Sequence, residues 1–198
     1  MKQWKNYFKN QYSEIIDIFY VQTVSHIKVI GQDIHSYNYD AICTFSLPIN
    51  RDIETPSIYD CFDLFTNTQI LDGDNKWKHD TDGKYYDIEK NLMIWKFPNI
   101  LIIHLKRFDN NGRKINKLID CPVDKLDLMN YCVGYEKHKS KFSLFGIINH
   151  IGTINSGHYY SFCKNNDNWY KFDDTSVIKL NTESLITENA YCLFYKKI

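Results

Sequence analysis

The chain has 198 residues, 43% hydrophobic and 24% charged, enough apolar material for one domain with a substantial core. Its 24 basic and 24 acidic residues cancel, so it lacks the positive excess of a nucleic-acid binder. The most apolar stretch, Leu92 to Leu105, is broken by Lys96 and Pro98 and cannot span a membrane, and Met1-Lys2-Gln3-Trp4 does not open a signal peptide.

Trp4, Phe8, Tyr12, Ile15, Ile16 and Phe19 recur at helical spacing and predict an amphipathic helix over 3–19. Residues 21–49 change to shorter alternating runs, such as Tyr39 to Phe45, that predict strands ending at Leu47-Pro48. Thr55-Pro56-Ser57 offers caps for a short helix bearing Ile58, Cys61, Phe62, Leu64 and Phe65. Asp72-Gly73-Asp74 and Asp80 to Gly83 are turns. Residues 99–108 read as a buried strand, joined through Asn111-Gly112 to a second strand over 114–120. The basic run Lys137 to Lys141 is a solvated loop tip. Further strands are predicted over 142–149, 158–164, 169–173 and 190–196, giving an α+β class dominated by antiparallel strands. Six Cys without a Cys-x-x-Cys pair, and no Asn-x-Ser/Thr sequon, read as reduced thiols in an intracellular protein of cytoplasm or nucleus.

The chemistry concentrates in one hairpin. A loop at Asn166-Asp167 pairs Asn165 with Asn168 and Lys164 with Trp169, and that register sets His158 opposite Thr175. Asp173 is then a diagonal neighbour on the same face, its Cα roughly 7–8 Å away. Asp174 points to the other face, unless a bulge near the strand end exchanges the two carboxylates. A His beside a carboxylate is the base half of a nucleophilic triad: the carboxylate fixes the tautomer and stabilises the imidazolium. The same pair also fits a cross-strand contact that only stabilises the hairpin.

Several boxes around this pair occur in one order. They are Cys61 to Thr66, Gly73 to Trp77, Ile103-His104-Leu105-Lys106-Arg107-Phe108, Asn149-His150-Ile151-Gly152, Gly157-His158-Tyr159, Trp169 to Asp174, and Ala190 to Tyr195. Together they make the chain resemble a ubiquitin-specific protease from about Ser13 to the end. The resemblance implies a papain-like cysteine peptidase fold in which 1–20 is the last thumb helix, 21–97 mainly fingers and 98–198 palm. It implies His158 as general base and Asp173 as its orienting partner, with Asp174 as the alternate. Gly157, Tyr159, His150 and Gly152 would lie on the substrate side, and the loop from Gly152 to Ser156 would be a blocking loop near the ubiquitin tail.

The family's Gly-Asn-Thr-Cys box has no counterpart here, and none of the six Cys replaces it. Cys163 lies five residues along the strand from His158 and on the opposite face, while Cys61, Cys43, Cys121, Cys132 and Cys192 read as inert thiols. Many family members bind structural zinc in the fingers through two Cys-x-x-Cys pairs. Here Val29 and Gln32 take the first pair and His79 and Asp82 the second, so no metal and no other cofactor is expected, although His26, His35, His79 and Asp82 could offer a substitute ligand set. The implied partner is ubiquitin or a ubiquitinated protein, together with a thumb-bearing second polypeptide if Met1 begins a fragment or split gene product. The readings are thus a deubiquitinase completed by a missing thumb, a non-catalytic ubiquitin-binding module, and a structural remnant.

Overall fold

The structure, a computed structural model, describes residues 13–181 and 185–198. Helix α1 (Glu14–Phe19) starts at Ser13, whose hydroxyl accepts from the Ile15 backbone N–H at 3.2 Å. The remainder of the helix expected over 3–19, with Trp4, Phe8 and Tyr12, lies outside the described residues.

A four-stranded antiparallel sheet has the order β2 (His35–Ile42), β1 (Val21–Val29), β7 (Ile88–Lys96), β4 (Gln69–Leu71). Beside it, β5 (Trp77–Lys78) and β6 (Tyr85–Tyr86) form a small hairpin. A larger sheet runs β13 (Ser176–Leu180), β12 (Asn168–Asp173), β11 (Gly157–Asn165), β10 (Lys141–Gly152), β14 (Ala190–Lys197), β8 (Ile100–Leu105), β3 (Phe45–Leu47). The short β9 (Leu126–Asp127) adds to β10, and among the described strands only β3 and β8 pair in parallel.

The core lies on one face of the larger sheet. On β8, Leu101, Ile103 and Leu105 are buried in strict alternation, as a pleated strand against a core requires. Helix α2 (Ile58–Thr66) adds Ile58, Cys61 and Phe62 to the same core, a spacing that forms one helical face. Ser57 and Asp60 form a capping box that fixes where this helix begins. Phe45 of β3 packs edge-on against Phe62 and Phe65 of α2, each with centroids 5.3 Å apart. Residues 45–66 therefore contribute an edge strand to the larger sheet and a helix to its core.

The strand expected over 114–120 does not form; isolated bridges alone join Lys114 to Phe108 and Asp120 to Ser57. The turn itself is present, with Gly112 at φ 73° and the Asp109 carboxylate accepting from the N–H groups of Asn111 and Arg113. Beyond it the carbonyls of Ile115 and Lys117 are drawn to the buried Arg107 guanidinium, each at 2.9 Å, instead of to a neighbouring strand. Lys137–Lys139 forms an exposed single 3₁₀ turn, consistent with the solvated tip expected there.

Candidate active site

Hairpin β11–β12 turns at Asn166 and Asp167, whose φ values of 44° and 64° are those of a two-residue type I′ loop. The ladder runs from Asn165↔Asn168 to Ser161↔Phe172, the register expected from the sequence. Alternation puts His158, Tyr160 and Phe162 on one face with Trp169, Lys171 and Asp173. Phe162 and Trp169 are buried and anchor the turn end of this face, while His158 and Asp173 stand at the open end.

There, His158 Nε2 and Asp173 Oδ1 are 2.6 Å apart, with the side chains 42% and 28% exposed. The hydrogen bond to Asp173 raises the imidazole above its ordinary range. Lys171, first, and His158, second, hold the Asp173 carboxyl below its ordinary range. In the neutral ring, an N–H at Nε2 donating to Asp173 leaves the Nδ1 lone pair as the acceptor for a proton.

Asp174 departs from the expectation that it faces the other side. Its φ of 49° is left-handed, so the strand ends and Asp173↔Ser176 opens the next hairpin into β13, which the sequence reading did not contain. The His158 ring, the Asp173 carboxylate and the Asp174 carboxylate each offer an atom within 4.8 Å of the others. Among the described residues this is the one group of three such side chains close enough to share a metal ion. Asp173 already has two partners, the His158 ring and the Lys171 ammonium, whose Nζ is 2.8 Å from Oδ2.

The residues expected on the substrate side share the neighbouring hairpin. Ile151 pairs with His158 and Gly152 with Gly157, closing the loop Thr153–Ser156. Gly152 has φ 105°, and a Cβ there would stand 2.5 Å from the Ser156 carbonyl oxygen. A Cβ on Gly157 would collide with the His150 ring and lie 2.7 Å from the Ile151 carbonyl oxygen. Both glycines thus shape the backbone. His150 is 3% exposed and held below its ordinary pKa by burial and by Lys114, and its Nδ1 has no hydrogen-bond partner among the described residues. Tyr159 is exposed and lies over it at 4.6 Å, and Tyr191 and Phe108 complete the cluster at 5.6 Å each. Phe108 also borders an open cleft of about 430 Å³ lined by Ile49, Arg51, Lys106 and Asp109.

Two contributors escaped the sequence reading. Arg107 stood only inside the Ile103-to-Phe108 box, yet it is fully buried and its Nε donates to the Ala190 carbonyl at 2.5 Å, tying the end of β8 to β14. Lys171 appeared only inside the Trp169-to-Asp174 box; its place two residues before Asp173 on one face was the available signal.

Among the described residues, which include all six Cys, no thiol joins the pair. Burial pushes Cys61 and Cys192 up to about 11 and Cys121 higher still, the reverse of nucleophile activation. Cys163 pairs with Gly146 and Tyr170, away from the open end, and Cys43 is exposed at the bend between β2 and β3. The positions at which the resemblance would put zinc ligands do not fit a metal. Val29 is a buried aliphatic side chain. His79 Nδ1 is bonded to Asp82 at 3.0 Å, and the proposed substitutes His26 and His35 are bonded to each other at 2.8 Å, giving two separate pairs.

The profile of the family described as ubiquitin carboxyl-terminal hydrolase matches residues 1–195. The chain belongs to that family. It is 36% identical over 177 residues to ubiquitin carboxyl-terminal hydrolase 16 of Arabidopsis thaliana, covering 87% of this chain and 17% of that protein. It is 31% identical over 201 residues to human ubiquitin carboxyl-terminal hydrolase 2, with 98% and 33% covered, and 30% identical over 204 residues to a probable ubiquitin carboxyl-terminal hydrolase of Acanthamoeba polyphaga mimivirus, with 98% and 44% covered. Among solved structures, the SAGA Ubp8/Sgf11/Sus1/Sgf73 DUB module bound to ubiquitin aldehyde contains a chain 32% identical, with a TM-score of 0.80 over 96% of this chain and 44% of that one. The chain spans less than half the length of each of these relatives. The α+β, strand-dominated fold expected from the sequence is the fold of this family. Among the described residues, no helix is long and apolar enough to cross a membrane.

Proposed function

We propose that this chain supplies the base half of a deubiquitinase, hydrolysing the bond after ubiquitin's C-terminal Gly with a thiol contributed by a thumb segment outside this sequence. The observation carrying this reading is the 2.6 Å contact between His158 Nε2 and Asp173 Oδ1, which leaves Nδ1 to exchange a proton. In that scheme Nδ1 takes the thiol proton and the thiolate attacks the glycyl carbonyl carbon. The departing amine then receives the proton from Nδ1, and water, deprotonated by the same nitrogen, releases ubiquitin from the thioester. Asp173 keeps its own charge throughout and stabilises each imidazolium formed. Tyr159 and His150 form the wall beside the reacting carbonyl, and Gly152 and Gly157 allow the hairpin to pass close to it.

The lack of a thiol beside His158 supports a second reading, a ubiquitin-binding module without turnover. One experiment separates them. The chain is mixed with, or fused to, a family thumb carrying the Cys box and assayed on a fluorogenic ubiquitin substrate. Hydrolysis that His158→Ala abolishes supports the enzyme. Ubiquitin binding with a docked thumb and no hydrolysis leaves the binding module, and neither result leaves a structural remnant.

A further inference from the structure

The Asp173 carboxylate is shared. Oδ1 meets His158 Nε2 at 2.6 Å, and Oδ2 meets Lys171 Nζ at 2.8 Å. Lys171 is itself held from the other side, its ammonium lying 4.6 Å from the centroid of the Tyr160 ring. Tyr160 and His158 are two apart on β11, and Lys171 and Asp173 two apart on β12, so all four side chains project from one face. The sequence Tyr160 ring, Lys171 ammonium, Asp173 carboxylate, His158 imidazole is therefore one chain of contacts along a single hairpin.

We infer that Lys171 is a positioning residue for His158, clamped on the Tyr160 ring, that fixes the rotation of the Asp173 carboxylate and moderates the basicity of the imidazole. This rests on the proposed role of His158 as base. A carboxylate with one free oxygen can rotate away from the ring, whereas one bonded through both oxygens presents Oδ1 in a fixed direction. The second effect is electrostatic. Asp173 and Asp174 both favour the imidazolium, and an imidazole charged at working pH cannot accept a proton. Lys171 places the opposing charge beside the same carboxylate and shifts the balance back toward the neutral ring. Because its side chain is only 32% exposed and lies against Tyr160, the ammonium stays where this effect is felt.

The test needs no thiol and no turnover. The ring protons of His158 are followed by NMR through a pH titration of the chain and of Lys171→Met, Lys171→Arg and Tyr160→Leu. Removal of the cation in Lys171→Met is expected to raise the His158 midpoint and to broaden or split the ring resonances as the carboxylate gains freedom. Lys171→Arg, which keeps the charge and the stacking, should restore the wild-type midpoint, and Tyr160→Leu should move it in the same direction as Lys171→Met but less. If Lys171→Met fails to fold, Lys171→Gln takes its place. A midpoint that is unmoved or lowered in the folded charge-removing variant overturns the inference, as does an Arg variant that behaves like the Met variant. Should the titration behave as expected while the thumb-completed assembly stays inactive, the enzyme reading falls and the electrostatic coupling stands.

Discussion

The carboxylate of Asp174 lies within 4.8 Å of a ring nitrogen of His158, carried there by a left-handed backbone at φ 49°. Two carboxylates therefore flank one imidazole, but only Asp173 is in direct hydrogen bond with it. In a thumb-completed assembly, Asp173→Asn should cost roughly a hundredfold or more in kcat, because an amide can hold the wrong tautomer. Asp174→Asn should cost less than tenfold, since it removes charge alone; Asn tolerates the left-handed turn and keeps the hairpin in place. Steady-state kinetics on a fluorogenic ubiquitin substrate compares the two, and a larger loss from Asp174→Asn would transfer the orienting role to Asp174.

The same pair gives stability a pH window. His158 is raised in the folded chain, so its contribution is present below the ordinary imidazole value, roughly 6.5, and is lost as pH climbs through the folded midpoint. Asp173 is lowered, so its contribution is present above the ordinary carboxylate value, roughly 3.9, and is lost as pH falls through the folded one. The difference in Tm between the wild-type chain and Asp173→Asn should be greatest between these limits and shrink toward both ends. A difference that does not vary with pH would mean that the pair adds nothing to folding.

Gly157→Ala should be strongly destabilising. The added methyl collides with the His150 ring and with the Ile151 carbonyl oxygen, and His150 is buried under Tyr159 and cannot swing out freely. Overpacking of this kind costs about 1–3 kcal/mol, read as a lower urea midpoint with an unchanged slope. Full stability in Gly157→Ala would show that the aromatic cluster is looser than it stands here.

The knuckle between β5 and β6 should be indifferent to chelators. Asp82 accepts from the Lys84 backbone N–H at 3.0 Å and from the Tyr86 hydroxyl at 2.7 Å, and is bonded to His79, which together hold it down to about 2. This contribution is present above the ordinary carboxylate value and lost as pH falls toward the folded one. Asp82→Asn should lower Tm at neutral pH, whereas a chelator should leave it unchanged. Stoichiometric zinc by elemental analysis, with a Tm that drops on chelation, would refute the hydrogen-bonded knuckle.

Much of this was legible in the residues. Asn166-Asp167 between two apolar runs fixed the hairpin register, because Asn and Asp tolerate the left-handed backbone that a type I′ loop demands. The same tolerance hid the second turn: Asp174 reads as one more strand residue until the chain is seen to reverse there, and β13 went with it. Ser57, Thr55 and Pro56 announced α2 by local capping chemistry, which needs no distant partner. The segment 114–120 was misread for the opposite reason. Its conformation is set by Arg107, whose burial and choice of three carbonyls depend on β14, some eighty residues later in the chain.

The path of the chain between the two sheets sets how the molecule can be cut. It leaves the four-stranded sheet after β2, lays β3 on the far edge of the larger sheet, folds α2 over it, and returns with β4 and β7. Phe45, Leu47, Ile58 and Phe62, all fully buried, belong to that excursion. The smaller sheet is therefore no detachable module: excising residues 21–96 as one piece would strip the larger sheet of an edge strand and of its covering helix. A graft between relatives that respects this weave would exchange 21–42 together with 69–96 and leave the intervening stitch in its original host.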